Sequence, residues 1–116
     1  MAFGISAERA GLGVQVITPE GKLDVHSASS FEDALGRAIE EGAAEIVADL
    51  SRTTFIDSTA LGALARGAQR LRTVGGRLLV VCADESITKL FLITGLDRAF
   101  SIYASRSAAL AVLGVA

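Results

Sequence analysis

The chain has 116 residues, of which 51% are hydrophobic and 21% charged, and its formal net charge at pH 7 is −2. That length suits one domain with a single core, read as residues 1–116, and the balance excludes intrinsic disorder. No basic cluster stands out, so nucleic acid is not an expected partner.

Alanine supplies much of the apolar content, so the positive mean hydropathy overstates greasiness. The longest aliphatic stretch, Leu78 to Ala83, is far short of a membrane span, and no membrane partner is expected. Met1 to Arg9 carries Glu8 and has no basic region ahead of an apolar one, unlike a signal peptide. A single cysteine, Cys82, permits no internal disulfide and fits a reducing cytosol, so the expected location is cytoplasmic.

In chain order, Phe3 to Ser6 and Leu12 to Thr18 read as two short strands, with Gly11 and Gly13 near a hairpin connection. Pro19-Glu20-Gly21 reads as a turn ending the second strand, and Lys22-Leu23-Asp24 leads towards a helix. Ser29-Ser30-Phe31-Glu32 has the spacing of a capping box, and Phe31, Leu35, Ala38 and Ile39 form one apolar helical face that Gly42 closes. Ile46 to Leu50 reads as a strand, and Phe55-Ile56 completes its approach to the next turn.

A second helix is predicted from about Ser58 to Thr73, with Leu61, Leu64, Ala65, Ala68 and Leu71 on its core face and Gly75-Gly76 as its stop. Leu78 to Cys82 is a continuous apolar run of strand length, as for a strand buried on both faces. A third helix, roughly Glu85 to Thr94, is anchored by Ile87, Leu90 and Phe91 and ended by Gly95. Phe100 to Tyr103 is the last predicted strand, and Ser105 caps a final helix holding Ala109, Leu110 and Leu113. The order β-β-α-β-α-β-α-β-α implies an α/β fold with a mixed, mainly parallel sheet. In such sheets the functional surface lies beyond the carboxyl ends of the strands, where Asp57-Ser58 falls.

On spacing alone, Ser58 reads as an N-cap of the second helix. Asp57 either assists that cap as an acid near the helix start or orients Ser58 and meets a partner. Thr59 is a second hydroxyl, either another phosphate acceptor or merely solvated. Thr59, Gly62, Ala63, Arg66 and Arg70 lie opposite the leucine stripe. That face is either an ordinary solvated one or a docking surface of small residues with a charged rim. Gly62 favours docking, because a mid-helix glycine costs roughly 1 kcal/mol against alanine. His26, the only histidine, reads as structural or solvated, and Asp24 as stabilising its turn or flanking the docking surface. Cys82, on a buried strand, should be inert.

The stretch Asp49 to Leu61 resembles the hallmark of STAS domains of the anti-sigma factor antagonist type: an apolar strand, Asp-Leu-Ser, then Phe-Ile-Asp-Ser and a helix opening with small residues and leucine. Gly21-Lys22-Leu23-Asp24 resembles the family's upstream glycine-x-leucine-aspartate turn. Gly95-Leu96 through Ile102-Tyr103 and Ala108-Ala109-Leu110 resemble its C-terminal third, so the likeness covers nearly the whole chain. One departure is Ala60, where antagonists commonly have glycine, so a partner is expected to dock less closely there.

The resemblance implies the STAS fold and a binding switch. In that branch the serine matching Ser58 is phosphorylated by a partner kinase that is also the anti-sigma factor. The unmodified domain binds the kinase and frees the sigma factor; the phosphorylated domain does not bind until a serine phosphatase resets it. The implied partner-binding set is Asp24, Asp57, Ser58, Thr59, Gly62, Ala63 and Arg66. The competing reading is a STAS scaffold or transporter-associated subunit in which Ser58 is only a cap.

An enzyme is not expected. A serine hydrolase elbow needs glycines where Ile56 and Ala60 stand, and no histidine occupies a base position. Asp49, Asp57 and Lys89 evoke an aspartyl-phosphate receiver, but no acidic pair marks the first strand. No phosphate-binding glycine loop occurs, and no catalytic residue, cofactor or metal is expected.

Overall fold

The computed structural model describes residues 3–115. β1 (Gly4–Gly11) and β2 (Val14–Leu23) form a hairpin. There follow α1 (Ala28–Glu40), β3 (Glu45–Asp49), β4 (Thr53–Ile56), α2 (Ser58–Thr73) and β5 (Arg77–Val81). The chain closes with α3 (Glu85–Thr94), a 3-10 turn (Leu96–Arg98), β6 (Ser101–Tyr103) and α4 (Arg106–Val112). The sheet runs β1-β2-β3-β5-β6, with β4 paired to β2 off that path. Only the hairpin is antiparallel; the other pairings are parallel. The expected α/β class with a mixed, mainly parallel sheet is the observed one.

Three local expectations are corrected. Pro19-Glu20-Gly21 does not end β2, which continues to Leu23. β2 pairs with β3 over Val14 to Ile17 and with β4 over Gly21 to Leu23. The Pro19 carbonyl faces the interval between those partners, where it accepts from Thr53 Oγ1 at 3.2 Å. In a strand the amide of a residue points to the same side as its carbonyl, so the donor that proline lacks is not called on there. Gly21, at φ +98°, opens the pairing with β4 opposite Thr53, and the register then shifts by one residue, Thr54 of β4 being the extra one.

The second correction is β4 itself, a separate strand rather than the tail of β3, which makes the order β-β-α-β-β-α-β-α-β-α. The third is the capping box. α1 begins at Ala28, ahead of Ser29, and Glu32 turns outward to Arg66 rather than back to the helix start. Ser27 Oγ instead accepts from the Asp24 amide at 2.9 Å and donates to the Lys22 carbonyl at 2.7 Å, tying the end of β2 to the helix.

Alternation along β3 and β5 divides the core. Ile46, Ala48, Leu78 and Val80 face α1, α2 and α3, where Phe31, Leu35, Leu64, Leu71 and Phe91 pack. Val47, Leu79 and Val81 face the other way, with Val16, under Ala109 of α4. Both sheet faces are covered, which explains the uninterrupted apolar run of β5. Helices α1 and α2 approach closely because Gly67 has no side chain: a Cβ there would come within 2.8 Å of Leu35 Cδ1.

α4 is tied to the sheet by Arg106. Its guanidinium reaches buried Asp49 at 2.9 Å, Glu8 at 2.8 Å and Thr18 Oγ1 at 3.0 Å. Burial alone pushes the Asp49 carboxyl up, but hydrogen bonds from Ser51 and Arg106 outweigh it and hold the group below its ordinary value. A carboxylate lowered in the folded state stabilises the fold above the ordinary aspartate range, and that contribution is lost as pH falls through the folded value. In urea unfolding across acidic pH, wild type should therefore lose stability more steeply than Asp49→Asn; parallel curves would remove Asp49 from the account. Leu64 is fully buried, so Leu64→Ala should cost roughly 2–5 kcal/mol at neutral pH, and a loss below about 1 kcal/mol would contradict this packing.

Candidate functional site

β4 is only a few residues long, and within it Thr53 and Ile56 are buried while Thr54 and Phe55 are exposed. Ile56 pairs with Leu23 of β2, and the Asp57 amide donates to the Leu23 carbonyl at 3.3 Å. The chain then turns into α2 with Asp57 in extended conformation at the N-cap. Asp57 Oδ1 accepts from the Ala60 amide at 3.1 Å, and Oδ2 accepts from the Val25 amide at 3.1 Å. One carboxylate thus caps the helix and holds the β2–α1 loop beside it.

The N-cap expected at Ser58 therefore belongs to Asp57. Ser58 is the first helical residue, exposed, and its hydroxyl takes part in no hydrogen bond among the described residues. The local rule was sound, since aspartate and serine cap about equally well, but the aspartate sits one residue earlier and wins the helix amide. Thr59 is likewise exposed.

Asp24 serves the turn on the other side. Its Oδ1 accepts from the His26 amide at 2.9 Å, and its carbonyl accepts from the amides of Ser27 and Ala28 at 3.1 and 2.8 Å. His26 is exposed. Asp24 thus shapes the turn while Asp57 holds its Val25 amide, and Asp24, Asp57, Ser58 and Thr59 come to one end of the sheet.

Further along α2 the expected outer face divides. Gly62 is half-buried, and a Cβ there would meet only Arg66 Nη1, at 3.3 Å, the flexible end of a side chain. Packing does not demand this glycine. Ala63, by contrast, is fully buried against the core, so its place on an exposed docking face is corrected. The cause is the width of the apolar stripe, which takes in Ala60, Ala63 and Gly67 beside the leucines and leaves Ala65 half-exposed. Ala60 is fully buried too, so its methyl points inward and does not stand between α2 and a partner. Arg66 grips Glu32 of α1 with two hydrogen bonds, at 2.9 and 2.8 Å, and that grip holds the Glu32 carboxyl below its ordinary value. On so exposed a pair this adds little stability, but it orients the arginine along the helix surface.

Two residues escaped the sequence reading: Val25 is 61% exposed and Phe55 47% exposed, both large apolar side chains beside the Asp57 turn. A signal existed for Phe55. Consecutive residues of a strand point to opposite faces, so Phe55 and Ile56 cannot both be buried by one layer. Nothing local marked Val25.

The STAS domain family matches residues 8–109. The anti-sigma-B factor antagonist of Staphylococcus epidermidis is 32% identical over 76 residues, covering 66% of this chain and 70% of that protein. The crystal structure of an anti-sigma factor antagonist from Mycobacterium paratuberculosis superposes with a TM-score of 0.87 at 27% identity, covering 96% of this chain and 93% of that one. SpoIIAA, the Bacillus cell fate determinant, in its phosphorylated form has the same fold, with a TM-score of 0.74 at 24% identity over 94% of this chain and 99% of that one. The match takes in most of the mixed α/β fold, and the chain belongs to the STAS domain family. Among the described residues no helix is long and apolar enough to cross a membrane.

The division of roles at the turn is measurable by urea denaturation. Asp57→Ala removes the cap and the anchor of Val25 and should cost about 1 kcal/mol or more, whereas Ser58→Ala should stay within about 0.5 kcal/mol of wild type. The reverse order would return the cap to Ser58.

Proposed function

We propose that this protein is an anti-sigma factor antagonist that works by partner switching. Unphosphorylated, it binds an anti-sigma factor that is also a serine kinase, and so frees the sigma factor. Phosphorylation of Ser58 abolishes that binding, and a serine phosphatase restores it. The observation that carries this reading is that Ser58 is exposed at the start of α2 while Asp57 makes the cap. The hydroxyl is free of structural duty and can be modified without unfolding the helix.

The surroundings support the same reading. Val25 and Phe55 supply exposed apolar area beside the hydroxyl, and Gly62 lets a partner's backbone approach the helix. Asp24, Asp57, Thr59 and Arg66 then form the polar border of the contact. A helix N-terminus tolerates phosphate locally, because its first amides carry positive partial charge. The same group brings about −1.5 to −2 charges into the contact, next to the Asp57 carboxylate. Fold is kept and docking is lost.

Calorimetric titration against a kinase-type anti-sigma factor tests this. Unmodified protein and Ser58→Ala should bind, Ser58→Asp should bind less well, and the phosphorylated protein should not bind. Gly62→Glu should keep the circular dichroism spectrum and abolish binding. Equal affinity of the unmodified and phosphorylated forms would refute the switch.

A further inference from the structure

A second surface, sharing no residue with the Ser58 turn, lies along the β1 edge of the sheet. β1 ends the strand order, pairing with β2 on one side, so its other edge is unpaired among the described residues. It is 8 residues long, about 26 Å at the usual rise of a strand. Glu8 turns to the α4 side, where Arg106 holds it at 2.8 Å. Ile5, Ala7 and Arg9 line a groove against α1 with a volume of about 400 Å³, within the range of ordinary ligand pockets.

The groove has an apolar wall and a cationic rim. Ala34 and Ala38 of α1 form its wall with Ile5 and Ala7, and their small side chains leave the space open. Arg9 and Arg37 stand on its rim, and neither has a carboxylate oxygen within ion-pair distance among the described residues. Glu41, the one acid lining the groove, accepts a hydrogen bond from the buried Gln15 amide at 3.0 Å. A strand edge running beside a helix, with an apolar trough between them, is the geometry in which an extended peptide adds to a sheet. The edge supplies main-chain hydrogen bonds, and the trough receives every second side chain.

We propose that the β1–α1 groove binds an extended acidic peptide segment of another protein. The segment adds a strand to β1, sets small apolar side chains against Ile5, Ala34 and Ala38, and pairs its carboxylates with Arg9 and Arg37. Charge chooses the occupant: two unpaired guanidiniums against one engaged carboxylate favour an acidic chain over a basic or neutral one. An isologous β1–β1 dimer is the other way to cover this edge. Whether a second copy takes the place of the peptide is read from the oligomeric state.

A displayed library of short random peptides, selected on the whole protein, tests this. The expected result is enrichment of sequences that alternate apolar and acidic residues. Amide resonance shifts on binding a synthetic enriched peptide should map to β1 and α1. Arg37→Glu and Arg9→Glu should each weaken that peptide roughly tenfold, as expected when an attraction becomes a repulsion. Ala7→Trp, which fills the groove without changing charge, should abolish binding, while thermal unfolding reports that each variant is folded. Ser58→Asp should leave peptide affinity unchanged, which keeps this surface distinct from the switch. The proposal is overturned if no acidic sequence is enriched, if the shifts map to the Ser58 turn, or if sedimentation shows a dimer through β1 that excludes the peptide.

Discussion

β2 is the strand on which the arrangement depends, because it serves three partners. It pairs with β1 from Val14 to Glu20, with β3 in its first half and with β4 in its last residues. Passing from β3 to β4 requires an interval in which β2 offers no ladder donor on that side. Pro19 occupies that interval, its carbonyl held by Thr53 Oγ1, and the register shift after Gly21, with Thr54 as the extra residue of β4, aligns the two strands. The consequence reaches the functional end. Carrying β2 on to Leu23 brings the Asp24–Ser27 turn beside the start of α2, within reach of the Asp57 carboxylate.

That carboxylate leaves Ser58 outside the helix cap. Had Ser58 been the cap, any change to its hydroxyl would have removed a helix-stabilising hydrogen bond. With Asp57 holding both the Ala60 and Val25 amides, the neighbouring hydroxyl is left exposed and dispensable to the helix. A negative charge added at Ser58 would also lie beside a carboxylate already committed to two amides. The local electrostatics of such a turn change sharply while its backbone has little reason to move.

The two faces of the sheet are secured by different means. On the α1–α2–α3 face, large side chains interlock and glycine at position 67 lets two helices approach, so that layer is held by packing. On the other face the short α4 buries only Ala109 fully and relies on Arg106, whose guanidinium gathers groups from β1, β2 and β3. A small helix with little apolar area needs such a directional tie to stay registered on the sheet. The same tie draws Glu8 away from the β1 edge, which leaves that edge flanked by Arg9 and the α1 groove.

Elements defined by near neighbours were legible in the sequence. The spans of α2 and α3, the left-handed glycines at positions 42, 75 and 95, the Ser105 cap and the doubly buried β5 all follow from spacing within a few residues. The turn carrying Asp57 and Ser58 was legible too, down to its place beyond the strand ends. Tertiary structure decided wherever several local solutions were equally good. Two adjacent residues were both competent caps, and a proline could either end a strand or sit in a gap between partners. A serine and a glutamate could cap each other, yet Glu32 meets Arg66 instead, and the exposed Val25 is fixed by Asp57, 32 residues away. Ala63 belonged to the outer face by spacing and to the core by the position of α1. Local sequence sets which hydrogen bonds and faces are available; the choice among them comes from distant groups, whose positions exist only once β2 has joined its partners and the helices have closed over the sheet.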